Sequence, residues 1–189
     1  GIYGESGSGK TTLLNIISLL INPKDCEISV DEKKIETPQD FRRYQNLISF
    51  VSQDTFLLED TIKNNILFGS EQVNDDLKLK YALEFSKLDE FIKELPNGLD
   101  TIIGLNSKKI SSGQKQRIAL ARLHYSSREI LIFDEATNAL DEKNEELIIK
   151  NIYNLKKTKT IIIVSHNKKN LLNCDKIYHI KNGSVIEEK

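Results

Sequence analysis

Eight residues near the amino terminus, Gly4-Glu5-Ser6-Gly7-Ser8-Gly9-Lys10-Thr11, constrain this chain more than any other stretch of it. They match G-x-x-x-x-G-K-[ST], the P-loop, in which glycines let the backbone curl until successive N–H groups surround phosphate oxygens. Lys10 would reach the β- and γ-phosphates, and the Thr11 hydroxyl would ligate Mg²⁺. The apolar run Leu13 to Ile21 predicts a short helix after the loop, its positive end aimed at the anion. With average residue usage such a match arises by chance on the order of 3 × 10⁻⁵ times per position. Phosphate binding is therefore the reading adopted.

A length of 189 residues suits one ordinary domain or a large piece of one. Lys+Arg 27 against Asp+Glu 28 leaves a formal charge of −1, so no basic field points to nucleic acid or anionic lipid. At 39% hydrophobic and 29% charged, the chain is too apolar for a disordered segment and too polar for an integral membrane one. Cys26 and Cys174 offer neither a disulfide framework nor metal-ligand spacing, in keeping with a reducing, cytoplasmic setting. There is no Met, and the chain opens at Gly1-Ile2-Tyr3, so it reads as a fragment of something longer.

Strand and helix patterns alternate. Ile28–Val30, Leu47–Val51, Ile130–Phe133 and Thr160–Val164 have strand character, the last two as apolar runs suited to a buried parallel sheet. Helices are predicted at about Gly113–Tyr125 and Glu142–Leu155, and a closing hairpin with a type I′ turn at Asn182-Gly183. From Thr61 to Leu95, Leu77, Tyr81, Leu83, Phe85, Leu88, Ile92 and Leu95 recur mostly at spacings of three and four, a sign of amphipathic helices. The fold class is therefore α/β: a three-layer sheet carrying a P-loop, with an inserted α-helical subdomain. The expected division is a core of about 1–55 and 127–189 and a helical subdomain of about 56–126.

The strand Ile130–Phe133 runs into Asp134-Glu135. A carboxylate there lies at the sheet's C-terminal edge, where such folds bind ligands. Asp134 would hold Mg²⁺, and Glu135 could polarise a water for attack on the γ-phosphorus. Alone, such a pair is as readily a solvated strand end or a helix cap; behind a P-loop it reads as the metal- and water-binding half of a nucleoside triphosphatase.

Ile110-Ser111-Ser112-Gly113-Gln114-Lys115-Gln116-Arg117 decides which kind. It resembles the signature of ATP-binding cassette (ABC) proteins, usually Leu-Ser-Gly-Gly-Gln followed by a basic residue, Gln and Arg. Gln53 in Val51-Ser52-Gln53-Asp54 looks like the family's Q-loop, Asn138-Ala139-Leu140-Asp141 like its D-loop, and His166 in Val164-Ser165-His166 like its switch histidine. Singly, Gln53 would be a surface residue and His166 a capping or solvated one. The family order of all six elements is what gives them function.

The resemblance implies a dimer that sandwiches two ATP molecules. Gly4, Glu5, Ser6, Gly7, Ser8, Gly9, Lys10, Thr11 and Thr12 would bind the nucleotide of one subunit. Ser111, Gly113 and Gln114 would meet the partner's γ-phosphate, with Asp141 acting across the interface. Glu135, His166 and Gln53 would be catalytic, and Thr11, Gln53 and Asp134 would hold Mg²⁺. Asp54–Ile66, Leu95–Thr101 and Gly104–Ser107 are similar to exporter segments, implying a transmembrane domain fused upstream and a place on the cytoplasmic face of a membrane.

Four features depart from the family. Ile110 replaces the usual leucine, a tame change. Ser112 stands at the first signature glycine, which would loosen the sandwich and slow hydrolysis, though hydrolysis is expected to survive because Ser111 and Gly113 remain. Asn138, where Ser is common, is taken as minor. The family's strands and adenine-stacking aromatic before the P-loop are not found in Gly1–Tyr3, so weak ATP binding is expected of residues 1–189 alone. Two other readings stand open: an ABC ATPase acting on nucleic acid or ribosomes, disfavoured by the near-neutral charge, and a binding-only domain, supported only by Ser112.

Overall fold

The computed structural model describes residues 1–21, 27–70, 75–104 and 110–188. Its elements in chain order are β1 (Ile2–Gly4), α1 (Lys10–Ile17), β2 (Ser29–Val30), β3 (Lys33–Lys34), α2 (Pro38–Gln45), β4 (Ile48–Val51), β5 (Asp60–Thr61), α3 (Ile62–Leu67), α4 (Asp76–Ser86), α5 (Asp89–Glu94), β6 (Ile102–Ile103), α6 (Ser112–Ser126), β7 (Ile130–Asp134), α7 (Glu142–Asn154), β8 (Thr160–Val164), β9 (Tyr178–Lys181) and β10 (Ser184–Glu187). Among the described residues no helix is long and apolar enough to cross a membrane.

The chain folds into two compact units, Gly1–Phe50 with Arg128–Asp134 and Lys159–Lys189, and Val51–Ser127 with Glu135–Thr158. This division and the one expected from sequence differ over 51–55, 127 and 135–158, all of which join the helical unit. The first unit is built on a six-stranded sheet in the order β10-β9-β1-β8-β7-β4. β1 pairs in parallel with β8 and β9, and β7 with β8 from Ile130↔Thr160 to Asp134↔Val164. Ile2, Leu14, Ile132, Val164 and Ile180 form its core, the apolar runs being buried as their composition demands. The strand expectations at 130–133 and 160–164 hold, and so does the closing hairpin: Asn182 and Gly183 have φ of 49° and 73°, both positive as a type I′ turn requires.

Two sequence expectations need correction, and one helix was not expected at all. The helix after the P-loop is Lys10–Ile17, not Leu13–Ile21, because Ser18 Oγ donates back to the Leu14 carbonyl at 2.8 Å and Leu19 turns left-handed, φ 57°. Gly1–Tyr3 is not bare of strand structure ahead of the P-loop: Ile2–Gly4 is itself a strand in the middle of the sheet. Helix α2 has no counterpart in the pattern reading, being mostly polar. Its signal is local: Thr37 caps the Asp40 N–H, Asp40 Oδ2 accepts from the Thr37 N–H, and Pro38 opens the first turn.

In the second unit α3, α4 and α5 supply the predicted helices, though Leu77 and Tyr81 of the expected apolar stripe are exposed on α4. Ile62, Ile66, Leu79, Ala82, Leu88, Ile118, Ala121 and Tyr125 make a separate core. Helix α4 packs against α6 and α7. Of the exporter-like segments, Leu105-Asn106-Ser107 lies outside the described residues, as does Cys26.

Candidate nucleotide site

The phosphate loop is built by close approach. A Cβ at Gly4 would lie 2.4 Å from the Ile180 carbonyl and 2.7 Å from Ser8 Oγ, so a side chain there would push the loop off β9. Gly9, φ 102°, turns the chain into α1 as its N-cap with no side chain closing the first turn, which leaves that turn's N–H groups directed at the loop. Lys10 is buried, and its ammonium donates to the carbonyls of Gly4 at 2.9 Å and Glu5 at 2.8 Å. The ammonium is thus folded over its own loop, and a phosphate oxygen would replace a carbonyl. Thr11 Oγ1 donates to Asp134 Oδ2 at 3.1 Å, joining α1 to the end of β7 across 123 residues. Ser8 Oγ is buried with no hydrogen-bond partner, an orphaned donor in the loop itself. Glu5, Ser6 and Thr12 are exposed at its rim.

These residues fit a triphosphate with a hard cation. A cation that prefers oxygen ligands and keeps several waters needs only the Thr11 hydroxyl and a carboxylate near phosphate oxygens, and Asp134 is buried and already engages that hydroxyl. In the same unit, exposed His166 follows β8. Its neighbour Ser165 is buried, and Ser165 Oγ accepts from the Asn167 N–H at 3.1 Å and from Asn170 at 3.4 Å, anchoring the turn that carries the imidazole. His179 and Lys168 both meet the Tyr3 ring: His179 stacks on it with ring centres 4.5 Å apart, and the Lys168 ammonium lies 4.0 Å from the ring centre.

Gln53, Ser111, Gly113, Gln114, Glu135 and Asp141 belong to the second unit. Exposed Gln53 follows β4 in a turn closed by a Ser52 Oγ bond to the Asp54 carbonyl at 2.7 Å. Ser111 is the N-cap of α6 and forms a capping box with Gln114: Oγ accepts from the Gln114 N–H at 3.1 Å, and the Ser111 N–H donates to Gln114 Oε1 at 2.8 Å. The cap uses the hydroxyl as acceptor, so its own proton remains for an anion. A Cβ at Gly113 would meet the Ala139 carbonyl at 2.8 Å, which accounts for glycine there. Ser112, beside it, is exposed. Asp141 is the N-cap of α7, accepting from the Asn144 N–H at 3.0 Å and the Asn144 amide at 2.6 Å. Those bonds, first the one from the Asn144 side chain, hold its carboxyl below the usual range.

Glu135 is buried and left-handed, φ 52°, a costly conformation for a non-glycine residue. Asn138 Nδ2 donates to Glu135 Oε2 at 2.7 Å, so Asn138, taken as minor from the sequence, aims this carboxylate. Gln116, passed over in the sequence as part of the signature run, is buried and spans the turn. Its amide donates to the Glu135 carbonyl at 3.2 Å and accepts the Ala139 N–H at 3.0 Å. Flanked by Gln114, Lys115 and Arg117 in the polar first turns of α6, it carried no signal in the sequence pattern.

A phosphate loop and a buried strand ending in the carboxylate that binds the loop's threonine define a P-loop nucleoside triphosphatase. Residues 1–138 match the family model described as ABC transporter, and the chain belongs to that family. It is 38% identical to an "ATP-dependent lipid A-core flippase" of Desulfotalea psychrophila over 99% of this chain and 32% of the flippase. It is 34% identical to "Multidrug resistance protein sirA" of Leptosphaeria maculans over 100% of this chain and 15% of that protein. The solved "Structure of a bacterial Atm1-family ABC exporter with ATP bound" superposes with a TM-score of 0.89 at 31% identity, over 98% of this chain and 32% of the exporter's. The chain thus spans about a third of the flippase and the exporter it matches.

Proposed function

We propose that this chain is the ATP-hydrolysing part of an exporter-type ABC transporter. Two such domains, identical or not, close around ATP, and hydrolysis to ADP and phosphate lets them part, driving a substrate outward or between leaflets. The reading is supported by the flippase, multidrug-resistance and exporter names of the relatives, and by the similarity covering nearly the whole chain. It places the domain on the cytoplasmic face of a membrane, beneath a transmembrane partner, with no nucleic acid involved.

The observation that carries the chemistry is the Thr11–Asp134 hydrogen bond beneath a buried Lys10. Thr11, Asp134 and Gln53 would hold Mg²⁺, which when bound offsets charge on the phosphate oxygens. The loop amides of Gly7 to Thr12 would orient the triphosphate, and Lys10 would exchange its carbonyl partners for β- and γ-oxygens. Glu135, aimed by Asn138, would accept a proton from the attacking water as its oxygen bonds to the γ-phosphorus and the bond to the bridging oxygen breaks. His166, and Ser111 with the Gly113 and Gln114 amides of the opposing domain, would donate to the γ-phosphate, and Asp141 would lie at that junction.

The test is ATP turnover and binding in the full-length protein. Glu135→Gln should lower kcat about 10²–10⁴-fold with ATP still bound, and Lys10→Ala should abolish binding or turnover. Turnover by Glu135→Gln at the unmodified rate would sink Glu135 as the base.

A further inference from the structure

Helix α6 carries a cation whose recorded partners are all neutral oxygens. The Arg122 guanidinium donates from Nε to the Asn65 carbonyl at 2.7 Å, from Nη2 to Asn65 Oδ1 at 3.3 Å and from Nη1 to the Phe56 carbonyl at 3.2 Å. Among the described residues no carboxylate forms an ion pair with it, and burial lowers its pKa. The ring of Phe68 lies 5.5 Å from its Cζ. Asn65 is fully buried at the other end of these bonds. Its Oδ1 accepts the Leu58 N–H at 2.8 Å, and its Nδ2 donates to the carbonyls of Leu58 at 3.1 Å, Thr61 at 3.0 Å and, more weakly, Asp60 at 3.4 Å. Two side chains therefore hold the backbone from Phe56 to Thr61, a segment that begins three residues after Gln53.

A cation taken from water and given only carbonyls is a poor way to gain stability, since an apolar side chain of similar volume commonly serves as well or better. What the guanidinium provides is geometry: a rigid fork that reaches two chain segments at once, which an ammonium cannot reproduce. The helix holding that fork is the one Ser111 caps, about 16 Å away along α6 at the usual rise per residue.

We propose that Asn65 and Arg122 are positioning residues that clamp the segment after Gln53 to the signature helix, so that Gln53 and Ser111 shift together as one body. Neither touches nucleotide; both act through Gln53. The proposal rests on the ATPase reading above.

A double-mutant cycle in the full-length protein tests it, with hydrogen exchange at the Leu58 amide as a second readout. Arg122→Lys should lower kcat about tenfold and leave the KM for ATP within about twofold. On a Gln53→Ala background the same change should cost nothing further, because the effect runs through Gln53. The Leu58 amide should exchange faster in Arg122→Lys while amides at the start of α4 are unchanged. Losses that multiply on the two backgrounds, or a kcat decrease that matches the unfolded fraction, would overturn the clamp. If the unmodified protein shows no ATP turnover, the ATPase reading fails by itself. Leu58 exchange then decides the clamp alone, and unchanged exchange rejects it.

Discussion

Single atoms decide much at the residue scale. Gly4 and Gly7 are both P-loop glycines, yet they are glycine for different reasons. A methyl group at Gly4 would sit 2.4 Å from the Ile180 carbonyl, whereas one at Gly7 would meet nothing within 4 Å and would face only the strain of φ 78°. Gly4→Ala should therefore lower unfolding free energy by about 1–3 kcal/mol and Gly7→Ala by about 1 kcal/mol. Paired urea titrations would read the difference, and a reversed order would contradict the packing account. Lys10, Thr11 and Asp134 were legible as candidate site residues because the chemistry proposed for them is carried by residue type and spacing. Asn138 and Gln116 were not: their role is to orient Glu135 through bonds that no spacing rule encodes.

At the scale of elements, local rules explain where helices begin. Ser111, Thr37, Thr61 and Asp141 each cap the helix that follows by accepting an N–H from its first turn. Two of these, Ser111 and Asp141, are also candidates for the nucleotide sandwich, so structure and function share a side chain. Asp141 makes this testable by pH. Its carboxyl pKa is lowered in the folded chain, so the cap contributes above the ordinary carboxylate range near about pH 4. That contribution is lost as pH falls through the lowered folded value. The Asn144 amide should thus lose exchange protection on acidification, and Asp141→Asn, which keeps an accepting oxygen at the cap, should flatten that response. Equal pH profiles for the two proteins would remove the assignment. Helix α2 escaped the periodicity argument because its polar face dominates, while α1 ended early because a serine and a left-handed leucine stopped it.

Over the whole molecule, one short strand has the largest consequences. β1 lies between β9 and β8, so it joins the hairpin β9–β10 to β8, which leads to His166, and through it to β7, which ends in Asp134. Removing residues 1–4 would open both edges and expose Ile132, Val164 and Ile180. A chain starting at Glu5 should lose cooperative unfolding in far-ultraviolet circular dichroism, and a single unchanged transition would count against this view. The helical unit has its own core, as the amphipathic spacing from Thr61 to Leu95 foretold. Its membership was not foretold: α7 packs with α4 in that unit, although its sequence neighbours on both sides are sheet strands.

Residue type and spacing alone determined the phosphate loop, the carboxylate-ended buried strand and the α/β class, and the resemblance to the family supplied the order of motifs. These depend on residue type along the chain, and backbone physics reads such patterns locally. Only the tertiary structure decided that Thr11 meets Asp134, that Asn138 and Gln116 hold Glu135, and that Arg122 and Asn65 grip the segment beyond Gln53. Those are contacts between residues distant in sequence or, for Asn138 and Glu135, between side chains three residues apart at a left-handed turn. They exist because packing the cores brings specific donors to specific acceptors, where a buried polar group must find a partner or be lost.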